Sequence, residues 1–224
     1  LKARLISYSQ PTDIIGIDDI QELIAFSARV SNPSNQMNKA TNEKLLNYLM
    51  KYKHWSPFEM VNACIEITTT RDIARQILRH RSFSFQEFSQ RYADPLKELD
   101  VAVTLECRLQ DNKNRQNSIE IADSDQRATL SLEWMKAQSE VIIAAKKAYK
   151  FAIDNGIAKE LARKVLPEGL TTSRLYMNGT LRSWIHFVEL RSANGTQKEC
   201  SEVAIACAKA IAKIFPIIED FCNE

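Results

Sequence analysis

The chain has 224 residues, 45% hydrophobic and 26% charged, an ordinary composition for one globular domain spanning 1–224. Its 30 Lys and Arg against 28 Asp and Glu leave a formal net charge of +2, too balanced for a general nucleic-acid or membrane-surface binder, so any basic site must be local. No apolar run is long enough to span a bilayer, and the opening LKARLISYSQ lacks the apolar block of a signal peptide, so a cytoplasmic protein is expected.

Alternation of apolar and polar residues over 5–8 predicts an opening strand. Helical spacing predicts a helix over 20–30, capped by Asp18 or Asp19, then a turn-rich break at SNPSNQ and a second helix over 44–52. After HWSP, Val61, Ala63, Ile65 and Ile67 fall on one face of a strand. Thr70 is the expected cap of a helix running to about Leu78, with Asp72 in its first turn. A further strand is expected at 101–109 and a loop at DNKNRQNS. A long amphipathic helix over 125–155 follows, ended by Gly156. The chain closes with a short helix over 158–166 stopped by Pro167, a short strand at 174–177, and helices over 180–191 and 197–214. Mostly helix with a few scattered strands predicts an α+β domain, a small, mostly antiparallel sheet packed with long helices.

The 5 cysteines are an odd number without CxxC spacing, which disfavours a disulfide framework or zinc ribbon and predicts reduced, mostly buried thiols. His54, His80 and His186 never show HxxxH spacing, so no metal site is expected. None of the 5 glycines makes GxGxxG or a P-loop, so the phosphates of any bound dinucleotide must be held by side chains.

The most informative segment is 79–92, RHRSFSFQEFSQRY. Arg79, His80, Arg81, Glu87, Ser89 and Arg91 are crowded into it. Guanidinium forks match phosphate oxygens and carbonyl edges, serines add short-range donors, and a lone glutamate can accept from a ring N–H or ribose hydroxyl. The segment reads as a site for an anionic, hydrogen-bonding ligand such as a nucleotide. Just before it, Gln76 shares a helical face with Arg79 and His80. Arg71 and Arg75, at the same spacing, are either part of this site or a solvated basic face. Ser89 lacks a nucleophile elbow and reads as a phosphate donor. In LRSWIHFVELR, Arg182 and His186 share a face and Arg191 closes the helix. The aromatics of HWSPFE suit a loop beside a planar ligand.

RHRSFSFQEFSQRY resembles the signature of the flavin-dependent thymidylate synthases. ARVSNP (28–33), HWSPFE (54–59), ARKVLP (162–167) and LRSWIHFVELR resemble further segments of that family; residues 95–155 carry no recognisable signature. The resemblance implies a homotetramer with FAD at subunit interfaces, NADPH as reductant, methylenetetrahydrofolate as carbon donor, and conversion of dUMP to dTMP without an enzyme thiolate on the uracil. It implies that Arg79, His80, Arg81, Glu87, Ser31, Ser56, Thr180, Arg182 and His186 lie near FAD. For dUMP it implies Gln76, Arg79, Glu87, the turn Phe88-Ser89-Gln90-Arg91, Arg163 and Arg191. Arg191 is the match that stabilises the uracil anion, hence the catalytic candidate. The chain departs from many relatives at Thr180 and Gly195, and from some at Met60.

A competing reading is a single-stranded nucleic-acid binder that stacks bases on Phe83, Phe85 and Phe88, against which the near-zero charge counts. A third is a nucleotide-binding regulator without catalysis.

Overall fold

Alternation in the NACIEITTT segment drives the fold. In a computed structural model of the chain, which describes residues 1–13, 16–99 and 106–222, strand β2 (Asn62–Thr70) sits centrally in an antiparallel sheet. Its neighbours are β1 (Lys2–Tyr8) and β6 (Thr172–Thr180), and β3 (Ser84–Glu87) pairs with the far side of β6, in the order β1-β2-β6-β3. Ala63, Ile65 and Ile67 of β2 and Leu175 and Met177 of β6 are buried on one face. There they meet α7 (Leu181–Ser192) and α8 (Lys198–Ile211), through Trp184, Phe187, Val203, Cys207 and Ile211. Burying each such side chain contributes about 1.5–3 kcal/mol. The Trp184 indole N–H donates to the Ala63 carbonyl at 2.9 Å, locking α7 onto β2.

Helices α1 (Ile20–Ala28) and α2 (Asn42–Lys51) cover one end of this core. Asp19 caps α1, its carboxylate accepting from the N–H groups of Gln21 and Glu22. Helix α3 (Arg71–Ile77) follows β2 directly. Thr70 occupies its N-cap position, but its hydroxyl makes no cap bond. A one-turn helix α4 (Pro95–Glu98) precedes a hairpin of β4 (Arg108–Gln110) and β5 (Ser118–Glu120). Residues 101–105 of the strand expected at 101–109 lie outside the described residues; β4 occupies its end.

Helix α5 (Ser124–Asp154) has 31 residues, roughly 46 Å at 1.5 Å per residue. Gly156, at φ +71°, stands just past its cap, the left-handed conformation that glycine adopts without a Cβ penalty. Tyr149 and Ala152 pack on Ala162 of α6 (Lys159–Ala162), while Trp134, Val141, Ile143 and Phe151 remain exposed. The helix expected over 158–166 is split: α6 gives way at Arg163 to a 3-10 turn, Arg163–Val165, ahead of Pro167.

Two short strands escaped the sequence reading. β3 and β5 have only 4 and 3 residues, too few for alternation to register. Of the cysteines, Cys200 and Cys207 are buried and Cys64, Cys107 and Cys222 half-buried; burial is thus less general than expected.

Candidate functional site

The arginine-rich segment is aimed by its aromatic residues. Helix α3 buries Ile73, Ala74 and Ile77 and stops there, so Arg79 lies beyond it, exposed. The helical face expected to join Gln76 to His80 therefore ends early. The chain turns, with the His80 N–H on the Ile77 carbonyl at 3.1 Å, and enters β3. Phe83 anchors this turn, 4.8 Å from Trp184 and 6.0 Å from Phe187 between ring centroids. It lies over Gly179, where a Cβ would come within 2.4 Å of the Phe83 ring. Glycine there is a packing requirement.

Arg191, at the end of α7, closes on the same turn. Its Nε donates to His80 Nε2 at 2.8 Å and its Nη2 to the Gln76 carbonyl at 3.4 Å. His80 must be the neutral, Nδ1-protonated tautomer to accept this bond. Burial, with the nearby charges of Arg191 and Arg79, lowers its pKa to about 4. Phe187 holds the ring edge-on at 4.9 Å. The Gln76 side chain reaches Gln197, just before α8, at 2.7 Å. Thus Gln76, His80 and Arg191 are brought together as one unit.

A second group forms after β3. The Phe88 N–H donates to the Arg174 carbonyl of β6 at 2.8 Å. Ser89 is exposed, and its carbonyl accepts from the N–H groups of Tyr92 and Ala93 in a tight turn. Arg91 pairs with Glu160 at 3.2 Å, an exposed contact of about 0–1 kcal/mol that a phosphate can displace. Ser89, Arg91, Tyr92 and Ala158 to Glu160 line a cleft of about 420 Å³, and Arg163 is one short helix away. Gln90 is only 4% exposed and its Nε2 has no partner, so its side chain is turned into the protein and its backbone is what the turn presents.

A third group lies where α7 meets the 3-10 turn Ser56–Met60. Arg182 forms an ion pair with Glu59, and His186 packs edge-on against Trp55 at 4.9 Å. Both residues of the shared α7 face thus meet HWSPFE, whose Ser56 is exposed. Thr180 spends its Oγ1 as the cap of α7, accepting from the Ser183 N–H at 3.2 Å. Ser31 is exposed beyond α1, while the preceding Arg29 is buried and bonds Asn42 and Thr41.

Arg71 and Arg75 are not a solvated basic face. Arg71 is 8% exposed, and both arginines face Glu87 and Glu168. The Glu87 carboxylate also accepts from Ser173 Oγ at 2.8 Å. Glu168, Ser173, Glu59 and Gln197 were missed by sequence reasoning. Only the four-residue spacing of Arg71 and Arg75 hinted at such a network.

A cleft of about 970 Å³ is walled by Thr68, Trp134, Gln138, Arg174 and Glu202, and no predicted site residue lines it. Volume alone is a poor guide here, because the donor-rich groups lie along open edges of the sheet.

The α+β fold and these edges of guanidinium, imidazole and hydroxyl groups have the character of a nucleotide-handling enzyme. A family model described as thymidylate synthase complementing protein matches residues 5–217. A probable flavin-dependent thymidylate synthase of Paramecium bursaria Chlorella virus 1 is 44% identical over 218 residues, 97% of each chain. The flavin-dependent thymidylate synthase of Synechocystis sp. is likewise 44% identical, again over 97% of each chain. A crystal structure of a UMP/dUMP methylase from Streptomyces cacaoi, bound with 5-Br UMP, has a TM-score of 0.77 at 25% identity, covering 98% of this chain and 92% of that one. The chain belongs to the thymidylate synthase complementing protein family, whose curated members here are flavin-dependent thymidylate synthases.

Proposed function

We propose that this chain methylates dUMP to dTMP, with FAD as its flavin, NADPH as reductant and methylenetetrahydrofolate as carbon donor. The observation that carries the reading is the convergence of two distant segments, Arg191 from the end of α7 and Gln76 with His80 from the end of α3 and the turn after it, onto one point at the start of the signature loop.

The donor set suits a flavin dinucleotide. Arg79 and Arg81 are exposed on the loop, and Arg182 and His186 stand against the turn that carries Ser56. Guanidinium and hydroxyl groups match a diphosphate, and Trp55 with His186 offers flat surfaces to a ring system. When bound, the flavin supplies hydride transfer to the one-carbon unit. Ser31, Arg79, His80, Arg81, Glu87 and Thr180 complete the set by family resemblance.

For dUMP, Ser89, Arg91, Arg163 and the backbone of the turn at Gln90 hold the phosphate, while Phe88, bonded through its N–H to the Arg174 carbonyl, fixes where the turn begins. Gln76 and Arg79 border the nucleoside. Arg191 carries the catalytic role: a fixed positive charge lowers the cost of negative charge on the uracil ring as its carbon becomes nucleophilic. Its bonds to His80 and Gln76 fix the guanidinium before substrate arrives. A cysteine nucleophile fits poorly, since burial raises the pKa of Cys64, Cys200 and Cys207 and keeps them as thiols.

The working assembly in this reading is a homotetramer. The exposed Trp134, Val141, Ile143 and Phe151 of α5 supply apolar surface for contacts between copies, and the open edges leave room for a second chain to complete each site.

The test is an anaerobic reaction containing the purified chain, FAD, NADPH, methylenetetrahydrofolate and dUMP, with dTMP measured by chromatography. Flavin absorption bands and dTMP are expected. A colourless protein that neither binds added FAD nor forms dTMP would overturn the reading.

A further inference from the structure

Four charged side chains close a ring between two segments far apart in sequence. Arg71 Nη1 lies 3.7 Å from Glu87 Oε1, and its Nε 3.6 Å from Glu168 Oε1. Arg75 repeats the pattern, with Nη1 3.4 Å from Glu87 Oε2 and Nε 3.9 Å from Glu168 Oε2. Charges alternate around the ring, so it is neutral overall. Ser173 Oγ adds a hydrogen bond to Glu87, and the Arg71 N–H donates to the Thr171 carbonyl at 2.9 Å.

Each glutamate belongs to a segment that bears phosphate candidates. Glu87 is the last residue of β3, immediately before Phe88, Ser89 and Arg91. Glu168 lies five positions after Arg163 on the segment leading into β6. The ring is therefore a direct link between the two arms that carry Ser89, Arg91 and Arg163. An arginine's planar fork can hold two carboxylates at a set separation, which an ammonium cannot do as well.

We propose that Arg71, with Arg75, Glu168 and Ser173, is a positioning group that sets the distance between the Ser89–Arg91 turn and the Arg163 segment, and so tunes recognition of the nucleotide's phosphate. None of the four is required to touch the ligand. The proposal rests on the reading of Ser89, Arg91 and Arg163 as phosphate ligands. It gives the Glu87 carboxylate a bracing role inside the chain.

The test compares dUMP with 2′-deoxyuridine, which lacks the phosphate, by calorimetric titration of the FAD-loaded enzyme. Glu168→Gln breaks an exposed part of the ring and should weaken dUMP binding about two- to fivefold. Arg71→Met leaves Glu87 without its buried partner and should weaken it about tenfold or more. Arg71→Lys should recover part of that loss. Deoxyuridine binding and flavin affinity should stay within about twofold of wild type, because the effect is confined to the phosphate arms. If Arg71→Met fails to fold, Glu168→Gln and Ser173→Ala carry the test. Equal losses for both ligands, or unchanged dUMP binding in the ring variants, would overturn the proposal. Ser89→Ala run in parallel separates the two readings. If it binds dUMP normally, the phosphate assignment falls and the ring's role with it. If it binds dUMP weakly while the ring variants do not, only the ring's role falls.

Discussion

Arg191 and His80, 111 positions apart, share a hydrogen bond of 2.8 Å in which the guanidinium donates and the imidazole accepts. The pairing joins a charge that must stay on to a ring that must stay neutral. It also ties the flavin-side motif to the arginine proposed to face the uracil, so the two parts of the site move as one.

Removing that arginine should affect chemistry more than binding. Losing one preorganised electrostatic donor typically costs about 10²–10³ in rate. Arg191→Ala should still bind FAD and be reduced by NADPH, since Arg79, Arg81 and Arg182 remain. Stopped-flow reoxidation with dUMP and methylenetetrahydrofolate, without oxygen, should slow by that factor. Arg191→Lys should restore only part of it. Near wild-type dTMP formation by Arg191→Ala would refute the assignment.

His80 sets a pH signature. Its folded pKa of about 4 lies below the ordinary value of 6.5, so the unfolded chain binds more protons between these limits. The stability that follows from keeping His80 neutral is fully present above about pH 6.5 and is lost as pH falls toward 4. Urea midpoints should therefore drop between pH 7 and pH 4.5, and drop less in His80→Asn. Parallel pH curves for the two proteins would show that His80 is not held neutral.

Ser89 is predicted to grip phosphate and not to attack carbon. A hydrogen bond to a charged group is worth about 1.5–3 kcal/mol. Ser89→Ala should weaken dUMP binding by roughly one to two orders of magnitude, with measurable turnover at saturating dUMP. Mass spectrometry of quenched wild-type reactions should find no Ser89 adduct; a trapped adduct would reverse the assignment.

Gly179 tests how the signature loop is aimed. A Cβ there meets Phe83 at 2.4 Å, so Gly179→Ala must push the ring off Trp184. Overpacking of this kind costs about 1–3 kcal/mol, or roughly 2–12 °C in Tm for a chain of this size. Flavin affinity should fall too, because Arg79, His80 and Arg81 precede Phe83 on the same turn. Calorimetry and a flavin titration check both; an unchanged Tm would mean the ring has room to yield.

Much of the architecture was legible beforehand because it is written in local patterns. Alternation marked Ala63, Ile65 and Ile67 as a buried strand face, helical spacing marked α5 and α8, and Gly156 marked the end of α5. The crowding of Arg79, His80, Ser89 and Arg91 reads as a nucleotide site and carried the family resemblance. These signals survive without a fold because each depends on neighbours within one turn or one strand.

What the tertiary structure decided is which of those residues meet. No spacing rule links Arg191 to His80, or Arg71 to Glu168; both contacts arise because β2, β3 and β6 pair in one register and deliver α3 and α7 to the same edge. The same packing turned Gln90 inward, assigned Thr180 to capping α7, and joined Arg71 and Arg75, which spacing left open between site and solvated face, with Glu87 and Glu168 in a neutral ring. Side-chain burial and charge pairing over such separations are properties of the assembled sheet and core, since the entropy of bringing distant segments together is offset only when the whole core forms.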